Sequence, residues 1–463
     1  MQTWQFLRRA CVSPIRIDWY MTHSVMTMIS AADREKVYRR NFVSFLIDSI
    51  LFTLAMSIIG ANTVIPDFVR QLTDSEILIG LSGNLFTIGF TLPQLLIARY
   101  VVRYERKKWW FVGPNIPVRF VILLFAGLTA WLGRDKPSLI LAAFFIAYSI
   151  AAFGDGVVGV PWADLAGTSL NARWRARMFG ITTMATALIM LLISPLIGVI
   201  LGAEGPGFPN NYAILFGISG VIFVISIVPG LFFHELPGGK AVAKVPALRE
   251  FLPDLGRVLR DDKPFRAFIL IRMLTNLFMM AAPFYVGYAT VQLGLSSDVA
   301  VPWLLSMYTV GSMVGAFAYT WLGERNNVLF IRLALAASVL MPLCALSAAS
   351  PGQGLGPLPL YVGFLMSGLA ASSNLFAAYM NWVVDYADAD QRPIYVGLSN
   401  TVSALVSLIT PVIGGLLAAR FGYRSLFVVA LFMALAALFV ALRALRYKQP
   451  ENMLVDAIPT TPA

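Results

Sequence analysis

Four ionisable residues lie deep inside long apolar stretches of this sequence: Asp48, Arg119, Asp155 and Arg272. A charge at the middle of a membrane helix costs about 2.5 to 3.5 kcal/mol on insertion scales, so such residues normally face a cavity or a partner. Two acids and two bases can neutralise one another, and a carboxylate in such a cluster can also carry a proton. Asp155 belongs to Gly154-Asp155-Gly156-Val157-Val158-Gly159-Val160-Pro161-Trp162, at mid-membrane depth for a rise of about 1.5 Å per residue. Asp155, Gly159 and Trp162 share a helix face at spacings of four and three. That face is expected to line a cavity in which Asp155 takes a proton or binds a cationic or hydroxylated solute. The alternative is a buried structural carboxylate capped by Arg119, with the glycines serving close helix packing. Asn374 and Asn381 are seven residues apart and therefore on one face, where their amides offer donors and acceptors to a polar solute or to a neighbouring helix.

The elements that must hold these residues are membrane helices. Of 463 residues, 58% are hydrophobic and 13% charged, where a soluble domain carries about 25% charged residues. A bilayer span needs about 20 mostly apolar residues. Twelve such stretches are predicted, at 42–65, 77–99, 109–132, 138–164, 178–202, 211–234, 265–290, 300–322, 328–349, 357–384, 394–419 and 425–446. The chain is thus expected to be an all-α membrane protein: a tail (1–41), a six-helix bundle (42–234), a central loop (235–264), a second six-helix bundle (265–447) and a tail (448–463). A soluble enzyme, a secreted disulfide scaffold and a coiled coil are excluded. Cys11, Cys344, His23 and His234 are too few and too scattered for a disulfide framework or a His/Cys metal centre.

The net charge of +11 does not point to nucleic acid, because the basic residues are interleaved with the spans. They are also unequally shared: 26 Lys and Arg residues fall on the side of the termini and five on the other, which places both termini in the cytoplasm, in a cell (inner) membrane. No secretory signal peptide is expected, since no apolar core precedes a small-residue cleavage site in the first forty residues. Met21, Met26 and Met28 leave an internal start open. Trp109, Trp110 and Trp131 bracket the third span as interface anchors.

The two halves repeat. Asp164, Gly180, Pro195 and Gly198 correspond to Asp385, Gly397, Pro411 and Gly414 at offsets of 216 to 221 residues, and Pro66 to Pro283 at 217. Twelve spans, this repeat, the Pro-x-x-Gly pattern in spans five and eleven, and a basic loop after span two together resemble the major facilitator superfamily over about residues 40 to 447. The loop reads Arg99-Tyr100-Val101-Val102-Arg103-Tyr104-Glu105-Arg106-Lys107-Lys108, which keeps the basic end of the family motif without its leading Gly and Asp. Ser194-Pro195-Leu196-Ile197-Gly198-Val199 is a degraded form of the fifth-span motif of the family's antiporters.

The resemblance implies two parallel six-helix repeats around a central cavity, with the first helix of each half facing it. On that footing Asp48 and Arg272 are expected to pair across the repeat interface and close the cytosolic side, with Asn276 one turn beyond Arg272. Arg119, on a span that is peripheral in the family, is expected to be a structural charge partner. Asp164 and Asp385 are expected to meet Arg106 and Arg325 as gating pairs. No phosphate-binding loop for ATP is present, and no cofactor is expected. The expected function is secondary transport of a small organic solute by alternating access, coupled to a proton, by a monomer. A lipid or hydrophobic-compound flippase and a non-transporting sensor are the alternatives, and no reacting constellation suggests an enzyme.

Overall fold

The computed structural model describes residues 31–101, 106–170, 172–235, 260–370, 372–387 and 392–445. Every described element is helical, as the apolar composition demands: without water, only internal hydrogen bonding satisfies a lipid-exposed backbone. Span one is Ala31–Ile59 continued by Val64–Arg70. Span two is Glu76–Val101, span three Lys108–Leu132, span four Pro137–Ser169, span five Ala172–Leu201, and span six Asn210–Ile225 with Ile227–Leu231. Span seven begins as Lys263–Phe278 and continues through short helical turns to Gln292. One helix, Ser297–Ser347, contains spans eight and nine and bends at Asn326 (φ −154°). Span ten is split into Leu358–Leu369 and Ser372–Tyr386, and the helix Arg392–Ala444 holds spans eleven and twelve, parted at Gly422 (φ 77°).

Among the described residues, twelve spans in two six-helix halves are therefore present. The tails before residue 31 and after 445, the possible internal start sites, and most of the central loop lie outside the described residues. Span one starts earlier than hydropathy indicates, because Ala31 to Asn41 continue the helix although they are polar, and Asn41 itself is fully buried. It breaks at Gly60, whose φ of 55° ends the first segment, and span seven breaks beside Pro283, the repeat counterpart of Pro66.

Within each half, glycine lets matching helix pairs approach closely. Gly89 packs against Ala152, and Gly156 against the Phe90 carbonyl, joining spans two and four. Gly311 and Gly368 bring spans eight and ten together backbone to backbone. Aromatic clusters fill the remaining interior: Phe68 meets Phe125, Phe144, Tyr212 and Phe216 in the first half, while Tyr285, Tyr288 and Phe427 pack in the second. Trp109 and Trp131 are 65% and 78% exposed at opposite ends of span three, as interface anchors should be.

Candidate functional site

The first half holds a buried charge cluster. Arg119 on span three and Asp155 on span four form an ion pair, Nη1 to Oδ1 2.9 Å, and both are about 5% exposed or less. The faces of Phe52 and Phe223 lie 4.7 and 4.9 Å from the guanidinium carbon, so spans one and six hold the cation by its planar faces while span four takes its edge. Asp48 on span one is equally buried, and its Oδ2 accepts a 2.8 Å hydrogen bond from Trp162 Nε1. Span four thus carries one buried carboxylate paired with Arg119 and, through Trp162, holds a second on span one. A crevice of about 10 Å³, room for about one water molecule, borders Arg119 and Asp155, walled by Met56, Ile59, Phe86 and Tyr148.

Asp155 is therefore capped by Arg119, the second of the two arrangements open from the sequence, and Trp162 turns to Asp48. The expected Asp48–Arg272 ion pair is not formed. Asp48 is engaged inside its own half, and Arg272 on span seven is drawn to span eleven. Its Nη1 donates to Ser399 Oγ at 2.7 Å and to Asn400 Oδ1 at 3.2 Å, and its Nη2 donates to Ser403 Oγ at 3.1 Å. Asn276 extends this cluster. Its Nδ2 donates to Ser403 Oγ at 2.7 Å and its Oδ1 accepts from Ser407 Oγ at 3.0 Å. Tyr379 of span ten lies beneath the Arg272 guanidinium at 5.5 Å and shares a 2.9 Å hydrogen bond with Thr275.

Ser399, Asn400, Ser403 and Ser407 were not anticipated. Their signal was present as serines at i, i+4 and i+8, one helix face, but uncharged residues carry no insertion penalty large enough to stand out. The Asn374 side chain lies outside the described residues. Asn381 is exposed and donates to Tyr319 Oη of span eight at 2.6 Å, which joins two helices of the same half.

The gating pairs come out differently from expectation. Asp164 bonds Lys107 Nζ, not Arg106, which is exposed. Lys107 caps span three and is 7% exposed, so its side chain is turned inward, and Glu235 accepts hydrogen bonds from the Lys107 and Lys108 backbone N–H groups, where a carboxylate favours a helix N-terminus. Asp385 is exposed, and the Arg325 side chain lies outside the described residues. On this face, where the termini emerge, Asn41 bonds the backbone of His234 within the first half. Asp262 accepts from Tyr386 and Tyr395, at 2.7 and 2.8 Å, within the second.

On the opposite face the halves are joined. Tyr423 Oη of span twelve donates to Glu76 Oε1 of span two at 2.7 Å, and Glu76 is clamped by both terminal nitrogens of Arg70 at 2.9 and 3.0 Å. Ser297 Oγ of span eight donates to Asp67 Oδ1 of span one at 3.1 Å, while Tyr212 holds the other oxygen at 2.7 Å. Among the described residues these are the hydrogen bonds that cross between the halves. Glycines seal the seam beside them: a Cβ on Gly83 would stand 2.7 Å from Pro283 Cγ, and one on Gly415 would stand 2.6 Å from Ile77 Cα.

Two six-helix halves, joined at one face and each carrying a buried polar cluster, agree with the sequence comparison. A profile described as Major Facilitator Superfamily matches residues 47–353 and 288–460. The chain belongs to the Major Facilitator Superfamily. This superfamily member is an integral, multi-pass membrane protein and a membrane transporter by family. No curated protein matches it. Among solved structures it is similar to a variant of the nucleoside transporter NupG at TM-score 0.66 and 12% identity, covering 88% of this chain and 100% of that one. It is similar at TM-score 0.62 and 14% identity to a bacterial homologue of the iron transporter ferroportin in an inward-facing state, over 87% and 98% of the two chains. It resembles the peptide transporter POT in complex with sulfate at TM-score 0.62 and 14% identity, over 88% and 95%. At such identities the likeness is one of fold.

Proposed function

We propose that this protein is a secondary active transporter that moves a small polar organic solute between its two halves by alternating access, coupled to a proton, and acts as a monomer. The observation that carries the coupling is the buried Arg119–Asp155 ion pair together with a second buried carboxylate, Asp48, tied to the same span four through Trp162. With both acids ionised the cluster bears a net negative charge in low dielectric. Binding one proton neutralises it, so the cluster has two states of different charge in which Asp48 and Asp155 compete for Arg119. The solute is met on the other side by the hydroxyl and amide cluster around Arg272 and Asn276, a donor-rich lining suited to an oxygen-bearing group.

The excess of basic residues on the termini face supports a cytoplasmic location for that face. The hydrogen-bonded seam then lies outside, and the structure corresponds to the inward-facing member of the cycle. Asp164 with Lys107, and Asp385 with Arg325, serve as gating charges at the cytosolic ends of spans four and ten.

The test starts with thermal stabilisation of the purified protein by a panel of solutes at pH 6 and pH 8, since a ligand of the native state raises its apparent stability. The stabilising solute is then assayed in proteoliposomes. Wild type should accumulate or expel it in response to an imposed pH gradient. Asp155→Asn and Asp48→Asn should lose that response while still exchanging labelled for unlabelled solute. Full gradient-driven transport in both variants would remove the coupling assignment.

A further inference from the structure

The polar contacts that cross the seam are concentrated in one small constellation that the gating charges on the other face do not explain. Glu76 is held from its own half by the two terminal nitrogens of Arg70, and from the other half by the hydroxyl of Tyr423. Arg70 in turn stands over the Tyr423 ring at 5.6 Å and lies flat against the backbone of Gly287, where a Cβ would come within 2.5 Å of its Nη2. The Arg70 and Glu76 side chains are only 15% and 16% exposed, and Tyr423 5%. A hydrogen bond to a charged group in so dry a setting is among the stronger polar contacts a protein makes.

We propose that Arg70, Glu76 and Tyr423 are the latch of the gate on the face opposite the termini, with Glu76 as the shared acceptor whose release from Tyr423 lets the halves part there. The latch rests on the alternating-access reading above. Asp67 with Ser297 forms a second, neutral-donor contact across the same seam, and its single 3.1 Å bond makes it the weaker of the two. Arg70 remains with Glu76 when the gate opens, since both belong to the first half and lie six residues apart. Within the latch only the Tyr423 hydroxyl bond, the ring contact and the Gly287 packing must break, so it opens without leaving an ion unpaired.

The experiment uses the full chain in nanodiscs, with Cys11 and Cys344 replaced by Ser and spin labels at Asp135→Cys and Gln353→Cys, two exposed positions on the opposite face of either half. Tyr423→Phe deletes only the hydroxyl, and the ring keeps its contacts with Phe284 and Tyr288. It should raise the long-distance, open population about tenfold with the unfolding temperature close to wild type, and Glu76→Gln should raise it as well, with a lower unfolding temperature because Arg70 loses its ion pair. Tyr319→Phe, which loses a hydroxyl bond on the termini face, should leave the distribution unchanged. Gly83→Leu is the independent control because it wedges the seam at Pro283. A second distance in Gly83→Leu with wild-type distributions in Tyr423→Phe and Glu76→Gln overturns the latch and leaves rocking intact. A single distance in all variants, Gly83→Leu included, overturns the rocking itself.

Discussion

Arg119→Met should destabilise this transporter far more than the loss of either acid that it serves. Methionine matches the length of the arginine stem and fits between Phe52 and Phe223, so the change removes charge with little change of volume. Asp48 and Asp155 are then left as two carboxylates buried without a cation, each about 4% exposed. At an effective dielectric of 20, a charge pair 4 Å apart is worth about 4 kcal/mol. Removing one partner of a buried pair commonly costs about 3 to 5 kcal/mol. Asp155→Asn is different. It leaves Arg119 facing Asp48, one positive and one negative charge, and an amide oxygen that still accepts a hydrogen bond, so its cost should be about 1 to 2 kcal/mol. At about 2 °C per kcal/mol for a chain of this size, thermal unfolding in detergent at pH 8 should fall by about 6 to 10 °C for Arg119→Met and by about 2 to 4 °C for Asp155→Asn. The pH dependence has a defined sign. The excess loss in Arg119→Met comes from unpaired negative charge, so it should be largest at pH 8 and shrink as the pH falls toward 5 and the carboxylates take up protons. Equal losses for Arg119→Met and Asp155→Asn, or a loss in Arg119→Met that grows on acidification, would refute the shared-cation reasoning.

Lys107→Ala should lower stability by about 1 kcal/mol and impair transport, because Lys107 is the residue that meets Asp164, whereas Arg106→Ala should stay within about 0.5 kcal/mol of wild type; paired melting curves and uptake rates decide between them. Gly156→Ala should cost about 1 to 3 kcal/mol, since the new Cβ would press on the Phe90 carbonyl and stand 2.5 Å from Pro93 Cγ, and folded yield in membranes reads it directly. Ser403→Ala should weaken solute binding several-fold with turnover less affected, because it removes the hydroxyl that links Arg272 to Asn276; a change in maximal rate alone would count against a binding role for this cluster.

Membrane insertion left the fold open to reading from the sequence. Each span has to be apolar for about twenty residues, and the repeat is written in Pro and Gly because backbone breaks and close approaches tolerate few other residues. The Arg119–Asp155 contact was legible for a related reason: a charge that deep must be compensated, and few candidates exist. What escaped notice was direction. Hydropathy does not say whether Asp48 faces the other half or Trp162, nor that Lys107 rather than its neighbour Arg106 turns inward at a helix start. The seam residues Asp67, Arg70, Glu76 and Tyr423 lie at helix ends, where charged and aromatic side chains are ordinary. Nothing in their spacing marks contacts 230 or 347 residues apart along the chain.

The repeat also stops short of the chemistry, and this separates scaffold from function. Shifted by the 217 residues that relate Pro66 to Pro283, Asp48 falls on Phe265 and Arg119 on Ala336, while Arg272 falls back on Ala55. The helices, their breaks and their glycine contacts recur, but none of these charges does. A symmetric scaffold lets the halves rock about one seam, whereas a proton carrier duplicated in both halves would place two like clusters on either side of the cavity, each titrating against the other. On the proposed coupling, keeping the acids and their cation in the first half, and the hydroxyls and amides around Arg272 in the second, would assign charge change to one body and solute contact to the other. Transferring an acid to the second half, as in Phe265→Asp, should then leave the gradient response dependent on Asp48 and Asp155, because the new carboxylate lies in the other half from Arg119. A Phe265→Asp/Asp48→Asn double variant that regains gradient-driven transport would show instead that a carboxylate in either half suffices.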